Sequence, residues 1–541
     1  MVTGLLLSLG LLQATAVPPV PRLVMVIDVD QMRPDYLDRF RPWFGTGGFR
    51  LLLDRGARFT EARYLHADTS TCPGHAVMLT GAYGSVNGIV ANEWYDVTRG
   101  REEYCAADRS VQILGGRSGA AGRSPRNLLA PTVGDVLKAE TRGRGRVITI
   151  SAKDRAAIML GGAHPDAAWW MTDSLFVTST WYRKELPAWV REFNASRAVS
   201  RYRDTTWTRL LPAAEYAGAG PDDVAAEESG RGMGRTFPHP IGGRSFIAAF
   251  EHSPFSNEVV AQFAMRAVTE EGLGRDNTPD LLGVSFSAND RVGHAYGPDS
   301  HEVMDVTLRL DRTLEQFFGF LDRTVGLRHV VIVLSSDHGA VPLPEVTAAR
   351  RAGSGAARVH PDSIRAPVEA ALVAKYGPAD SGWVLFNSGR FYYLNRPELK
   401  ARGIALRDAE RVARDALARV RWVHRAVTAT ELARQRSAGR SSRALRSFHP
   451  GRSGDVYYEL KPGVYPDAEP GGTGHGSPWD YDARVPLLWF GAGLKAGTYG
   501  GAASVADIAP TLAELLRLRA PAKSEGRVLR EMLETGAPSR S

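Results

Sequence analysis

The hydrophobic pattern of the chain alternates short apolar runs with amphipathic stretches. The runs at 281–286 and 330–334 are almost continuously apolar, and an amphipathic stretch at 302–324 lies between them. Short continuous apolar runs are typical of strands buried on both faces of a parallel sheet, and the stretch between them has the length of a crossover helix. The pattern therefore predicts an α/β fold with a mostly parallel central sheet flanked by helices on both faces.

The same alternation continues in both directions along the chain. Further strands are predicted at 22–29, 146–151 and 484–490, and further helices at 48–56, 73–81, 132–140, 257–272 and 504–516. Segments rich in Gly, Arg, Ala or aromatic residues break the alternation at about 96–130, 161–250 and 345–470. We expect them to be insertions that cap the ligand crevice of one domain at 17–541.

Acidic residues and histidines follow the two apolar runs. Asp290 and His294 come after the first run, and Asp337 and His338 come after the second. In parallel sheets the ligand crevice lies beyond the carboxyl ends of the strands, so the two pairs are placed to hold one metal ion or two. Taken alone, each pair could equally be a capped turn or a surface ion pair.

The N-terminal pattern predicts export. Residues 5–12 are apolar and are followed by the small-residue sequence at 14–16 that signal peptidases prefer, so we expect a signal peptide at 1–16 and a periplasmic or secreted protein. The run is too short to span a membrane, and we expect no stable membrane anchor. The alternatives are a lipid-free N-terminal anchor and a misassigned start upstream of Met25. In an exported chain, Cys72 and Cys105 either form a disulfide or remain small buried side chains.

Composition narrows the function classes. The 541 residues are 43% hydrophobic and 23% charged, as in an ordinary globular protein. The net charge of +8 comes from scattered arginines without a basic stripe interleaved with aromatic residues, so we expect no nucleic-acid partner. We expect the protein to be a monomer.

The other chemically informative residues occur in a fixed order. They are Asp30 after the first strand, Thr71 just before a predicted helix, Asn92 in a loop, Lys153 and Arg155 after the strand at 146–151, and His475 in a glycine-rich loop. A helix N-terminus favours an anion such as a phosphate or a threonine alkoxide. Together with the two Asp/His pairs, this order resembles the alkaline phosphatase superfamily. The chain is most similar to the branch with the type I phosphodiesterase/nucleotide pyrophosphatase core and, within it, to the PafA-type exported bacterial alkaline phosphatases.

The resemblance implies two zinc sites. One Zn²⁺ would be held by Asp290, His294 and His475, and the other by Asp30, Asp337 and His338, with Thr71 completing its coordination. The residue types agree with this assignment, because imidazole and carboxylate ligands suit Zn²⁺ and two ions can hold both oxygens of an in-line displacement.

The resemblance also implies a mechanism and a substrate class. Thr71 would attack phosphorus and form a phosphothreonine, while Lys153, Arg155 and Asn92 would bind the non-bridging oxygens. Two cations match the charge of a monoester dianion, so we expect an alkaline phosphatase that hydrolyses phosphate monoesters. A phosphodiesterase or a phosphonate monoester hydrolase on the same core is the alternative. A non-catalytic binding protein is disfavoured because every implied ligand is present, and a sulfatase is disfavoured because its Cys-x-Pro-x-Arg motif is absent.

Three residues beside these motifs receive supporting roles. Asp28 is expected to be buried and paired, or to support a ligand. His75 is expected to pack or to support a ligand rather than to bind metal. Asp154 is expected to face away from the site or to orient Arg155.

Overall fold

The computed structural model describes residues 20–117, 119–228 and 231–534. The predicted signal peptide at 1–16 lies outside the described residues. Within the described part of the chain, no helix combines the length and the apolar character needed to cross a membrane.

The strands are numbered in chain order. They are β1 (Leu23–Val29), β2 (Ala57–Arg63), β3 (Glu93–Asp96), β4 (Arg101–Tyr104), β5 (Ile113–Leu114), β6 (Val147–Ser151), β7 (Ala167–Thr172), β8 (Leu175–Ser179), β9 (Thr205–Trp207), β10 (His239–Ile241), β11 (Asp280–Phe286), β12 (Val330–Ser335), β13 (Ala357–Val359), β14 (Val384–Ser388), β15 (Phe391–Leu394), β16 (Val423–Thr428), β17 (Val456–Leu460), β18 (Val464–Pro466), β19 (Leu487–Gly491) and β20 (Gly497–Ser504).

The α-helices are numbered in the same way. They are α1 (Tyr36–Arg39), α2 (Phe49–Arg55), α3 (Thr71–Thr80), α4 (Gly84–Asn87), α5 (Val133–Glu140), α6 (Asp154–Gly161), α7 (Ala188–Ala195), α8 (Phe246–Glu251), α9 (Pro254–Glu270), α10 (Ala288–Tyr296), α11 (His301–Thr324), α12 (Pro344–Arg350), α13 (Asp362–Tyr376), α14 (Arg396–Ala401), α15 (Leu406–Arg419), α16 (Ala429–Ser437), α17 (Arg443–Ser447), α18 (Asp480–Ala483) and α19 (Ile508–Leu515).

A central ten-stranded sheet organises the molecule. Its strand order is β20-β2-β19-β12-β1-β11-β6-β7-β8-β5. The five strands from β12 to β7 are mutually parallel, whereas β19 and β8 pair antiparallel with their neighbours towards the two edges. This architecture confirms the predicted α/β fold.

Helices cover both faces of the sheet, and the strand sequences show why. Along β1, Met25 and Ile27 pack into one hydrophobic core, while Val24 and Val26 pack into another. Because successive strand residues point to opposite faces, a continuously apolar strand must be covered on both sides. Helices α9 and α11 contribute to the first core, and helices α3, α5 and α19 contribute to the second.

The register of the three central strands places their last residues at one edge. Val29 at the end of β1 lies opposite Phe286 at the end of β11, and β12 ends beside them. The acidic residues that follow these strands, Asp30, Asp290 and Asp337, therefore meet at the carboxyl edge of the sheet, where ligands bind in such folds.

The segments predicted to be insertions contribute to several parts of the fold. Strand β5 of the segment 96–130 and strands β7 and β8 of the segment 161–250 extend the central sheet. The segment 345–470 contains a separate four-stranded sheet, with strand order β14-β15-β17-β16 and its own hydrophobic core. A capping role for these segments remains a prediction.

The helix predicted at 73–81 begins earlier than expected. Helix α3 starts at Thr71, and Pro73 is its third residue instead of its first. Proline is tolerated there because the N–H groups of the first helical turn have no partner within the helix. The difference brings Thr71 into the first turn itself.

Candidate active site and metal centre

Asp30, Asp337 and His338 form a fully buried cluster, here called the buried group. The structure brings one donor atom of each within 4.8 Å of the others. His338 Nε2 lies 3.3 Å from Asp337 Oδ2 and 3.6 Å from Asp30 Oδ1. These three atoms are buried and have no hydrogen-bond partner.

Asp290, His294 and His475 form a second cluster, here called the open group, whose donor atoms also lie within 4.8 Å of one another. His294 and His475 approach Asp290 Oδ1 with Nε2 at 3.2 and 3.7 Å. Asp290 and His294 are one turn apart on α10, which places both side chains on one face of that helix. The His294 side chain is 36% exposed, whereas the His338 side chain is 0% exposed.

Backbone carbonyls orient all three histidines. The Nδ1 atoms of His294, His338 and His475 donate to the carbonyl oxygens of Thr473, Gly339 and Thr69 at 2.7, 3.0 and 2.8 Å. A carbonyl can only accept, so in the neutral form of each ring Nε2 is the nitrogen with the lone pair, and in all three histidines it faces a carboxylate. This arrangement is the usual one for metal-binding histidines.

Lys153 joins the two groups. Its Nζ donates to Asp30 Oδ2 at 2.6 Å and to Asp290 Oδ2 at 2.5 Å. The rings of His338 and His475 also stack, with their centroids 3.5 Å apart. The two groups therefore form one continuous site.

The residues of both groups fit bound metal ions. Burial and repulsion from Asp290 and Asp337 raise the pKa of Asp30 well above its usual range. Burial and the neighbouring imidazoles of His338 and His294 hold the pKa of His475 well below its usual range, so the ring is neutral. Crowded buried carboxylates, neutral imidazoles and unpartnered donor atoms are the environment that a divalent cation stabilises, and this donor set suits Zn²⁺.

Thr71 lies at the start of α3, against the buried group. A Cβ atom on Gly74 would lie 2.7 Å from Cβ of Asp337 and would also collide with its carbonyl oxygen. Glycine at this position therefore allows the first turn of α3 to pack directly on Asp337. Thr71 is buried at the positive end of the α3 dipole, which favours an anion beside it.

His75 supports the buried group from behind. Its Nδ1 lies 3.3 Å from Asp337 Oδ2, and its Nε2 lies 3.0 Å from both Asp28 Oδ2 and Ser285 Oγ. Burial lowers the pKa of His75, but the charges of Asp28 and Asp337 outweigh burial and raise this pKa well above the usual range. The imidazolium therefore neutralises two buried carboxylates, and Asp28 is buried and paired as the sequence suggested.

Asn92 and Arg155 are held by an extended hairpin of β3 and β4. Asn92 precedes β3, and its Oδ1 accepts a hydrogen bond from the backbone N–H of Cys72 at 2.8 Å. Tyr104 ends β4 and donates to Asp154 Oδ1 at 2.6 Å, and the same oxygen accepts the backbone N–H of Arg155 at 2.7 Å. Asp154 therefore bonds to both Tyr104 and the backbone of Arg155, and the expectation that it orients Arg155 is met through the backbone of that residue.

Comparison with known proteins assigns the family. A model of the type I phosphodiesterase/nucleotide pyrophosphatase family matches residues 24–482. The chain belongs to this family.

Individual relatives give more specific information than the family description does. The chain is 34% identical over 541 residues to alkaline phosphatase PafA of Elizabethkingia meningoseptica, covering 98% of each chain. It is 33% identical to alkaline phosphatase PhoV of Synechococcus elongatus, over 95% of this chain and 93% of PhoV. These matches confirm the predicted resemblance to the PafA-type enzymes, and they support phosphatase activity in this branch.

Two solved structures of PafA show the same fold as this chain. The crystal structure of wild-type PafA superposes with a TM-score of 0.90 at 33% identity, covering 96% of this chain and 100% of PafA. A PafA variant substituted at one threonine, one asparagine, one lysine and one arginine superposes with a TM-score of 0.89 at 32% identity, over 96% of this chain and 100% of the variant.

One residue of this phosphodiesterase-family site was missed by the sequence reasoning. Gln31 follows Asp30 with a φ of 66°, in the left-handed region that non-glycine residues seldom adopt. This turn lets its backbone N–H donate to Asp337 Oδ1 at 3.2 Å and its Nε2 donate to Asp290 Oδ1 at 2.9 Å. Gln31 thus bridges the two groups, and its place directly after Asp30 was the only signal for it in the sequence.

Proposed function

We propose that the chain is an exported, metal-dependent alkaline phosphatase that hydrolyses phosphate monoesters through a phosphothreonine at a two-zinc site. The observation that carries this proposal is the convergence of two metal-binding groups, a helix-starting threonine and two cationic side chains at one sheet edge. The relatives PafA and PhoV are both alkaline phosphatases, which supports this activity.

The two groups would each hold one Zn²⁺. Asp30, Asp337 and His338 would hold one ion, and Asp290, His294 and His475 the other. When bound, the ions would lower the pKa of the threonine hydroxyl and of the attacking water and would take up charge on the leaving oxygen.

Thr71 is the nucleophile of the proposed reaction. Its hydroxyl loses a proton and Oγ1 attacks phosphorus in line with the ester oxygen, which leaves as the alcohol. The N-terminal turn of α3 favours the negative charge that this step places on the nucleophile. Water then attacks the phosphothreonine and releases phosphate, so two inversions give net retention at phosphorus.

Lys153, Arg155 and Asn92 set the substrate class. A phosphate monoester is a dianion with three non-bridging oxygens, whereas a diester carries one negative charge. Lys153 and Arg155 can bind two of those oxygens by charge-assisted hydrogen bonds, and the Asn92 amide nitrogen can donate another. The four residues replaced in the PafA variant are a threonine, an asparagine, a lysine and an arginine, the same types in the same order as Thr71, Asn92, Lys153 and Arg155.

The alternative is a phosphodiesterase or a phosphonate monoester hydrolase on the same core. The family description, which names phosphodiesterases and pyrophosphatases, keeps this candidate open. A diesterase would need an apolar contact for a second ester group where Lys153 and Arg155 place charge.

The direct test of the proposal is substitution of Thr71. We expect Thr71→Ala to lower kcat/KM for a monoester by at least about 10³-fold, as for other covalent nucleophiles. Acid quenching of the wild type during turnover, followed by mass spectrometry, should show a phosphoryl group on the peptide that contains Thr71. Thr80→Ala, at the other end of α3, is the matched control. Unchanged turnover by Thr71→Ala would reject the mechanism.

A further inference from the structure

Cys72 and Cys105 are joined in a disulfide, which settles the alternatives left open by the sequence. Both cysteines are fully buried, and the bond spans 33 positions of the chain. Cys72 directly follows the proposed nucleophile, and Cys105 directly follows β4. The bond therefore joins the first turn of α3 to the base of the β3–β4 hairpin.

Asn92 lies between the two cysteines. Its side-chain Oδ1 accepts the backbone N–H of Cys72 at 2.8 Å, and its backbone oxygen accepts the backbone N–H of Cys105 at 2.9 Å. The two disulfide-bonded cysteines therefore both donate a backbone hydrogen bond to Asn92. Because the amide oxygen is occupied by Cys72, the amide nitrogen is the atom available to donate to a substrate oxygen.

The other end of the hairpin base reaches Arg155. Tyr104 precedes Cys105, and its hydroxyl donates a hydrogen bond to the Asp154 carboxylate. The same carboxylate accepts the backbone N–H of Arg155. Asn127 Nδ2 donates to the carbonyl oxygens of Tyr104 and Cys105 at 3.3 and 3.2 Å, which fixes this corner of the hairpin. One small element therefore carries Asn92 and supports Arg155.

We propose that the Cys72–Cys105 disulfide is a positioning element that holds the phosphate-binding amide of Asn92 in register with Thr71, so that the oxidation state of this bond sets the activity. This inference rests on the proposed function. Reduction by a phosphine converts the bond to two thiols, which gain two electrons and two protons, and the phosphine takes up the oxygen of a water molecule to become its oxide. Without the covalent bond, α3 and the hairpin stay joined by the hydrogen bond from Cys72 to Asn92 and by apolar packing, which constrain the distance from Asn92 to the nucleophile less tightly.

The test is a double-mutant cycle between the disulfide and Asn92. In the otherwise native chain, Cys72→Ala/Cys105→Ala should lower kcat/KM for a monoester and raise the inhibition constant of inorganic phosphate, each by about tenfold, because small misplacements of binding groups are costly. In an Asn92→Ala background the same pair should cost about twofold at most, since coupled residues are not additive. Asp96→Ala, which loosens the tip of the hairpin but not its base, should leave the phosphate inhibition constant unchanged.

The outcomes separate the inference from the proposed function. An equal cost of the cysteine pair in both backgrounds would overturn the inference and leave the proposed function standing. An Asn92→Ala variant with native kcat/KM would overturn the proposed role of Asn92 and this inference with it. If the cysteine variants do not fold, the zinc-loaded wild type is reduced with the phosphine, and the reduced fraction is quantified by thiol alkylation. Activity should fall in proportion to that fraction and return on reoxidation, and full activity in fully reduced protein would overturn the inference.

Discussion

The two metal-binding groups of the site contain similar residue types in different surroundings. The buried group has side chains that are 0% exposed, and a buried histidine and a second aspartate stand behind it. In the open group the His294 side chain is 36% exposed, and its ring is held by one carbonyl bond to a glycine-rich loop. From this difference we propose that the buried group holds Thr71 as the nucleophile, and that the open group faces the side where the alcohol leaves and water enters.

Removing a ligand from each group would test that division, and it carries the largest expected effect. Asp337→Ala leaves His75 and His338 without their shared carboxylate in a buried setting, so we expect at least about a 10³-fold loss of kcat/KM that added zinc does not restore. His294→Ala should lose activity at low zinc and regain much of it as free zinc is raised. The measurement is activity against buffered zinc concentration, together with metal content.

The matched control for both variants is His360→Ala, because His360 is exposed and its contacts are with Asp362 and Ser363. It should retain native zinc content and turnover. An identical zinc response of Asp337→Ala and His294→Ala would remove the distinction between the groups.

The next effect concerns Lys153 and Arg155, the two cations proposed to bind the substrate. Lys153→Ala/Arg155→Ala should lower kcat/KM for a monoester by about 10²-fold, since hydrogen bonds to charged groups are each worth about 1.5–3 kcal/mol, and should lower diester turnover much less. Arg144→Ala, an exposed arginine, is the control for a general loss of positive charge. Equal losses of kcat/KM for the monoester and the diester would show that Lys153 and Arg155 have a structural role and do not select the substrate.

A smaller effect is expected behind the buried group. His75→Gln and Asp28→Asn remove the support of Asp337 without removing a proposed ligand, so we expect about a tenfold rise in the zinc dissociation constant of the buried group. Isothermal titration of both variants with zinc is the measurement. Native zinc affinity in both would show that this buried pair stabilises only the fold.

Much of this comparison could be predicted from the sequence because strand ends meet in parallel sheets. The apolar runs of β11 and β12 specify buried strands, and the Asp/His pairs that follow them must then share an edge. The position of His475 could not be predicted from local pattern, because the sequence of a glycine-rich loop does not determine where the loop lies in the fold. Its assignment depended on the family resemblance.

The supporting contacts could not be predicted from local pattern. The unusual φ of Gln31, the pairing of His75 with Asp28, and the path from Tyr104 through Asp154 to Arg155 all depend on tertiary packing between distant segments. Local propensities carry no information about such pairings. The disulfide is the same kind of case, because two cysteines in one chain do not reveal whether their backbones come close.

The central claim is that this site is built for a monoester dianion. Its most direct test is kcat/KM of the zinc-loaded wild type for an aryl phosphate monoester and for the methyl diester with the same leaving group. The charges of Lys153 and Arg155 predict a monoester preference of at least about 10²-fold. An equal or higher kcat/KM for the diester would contradict the claim.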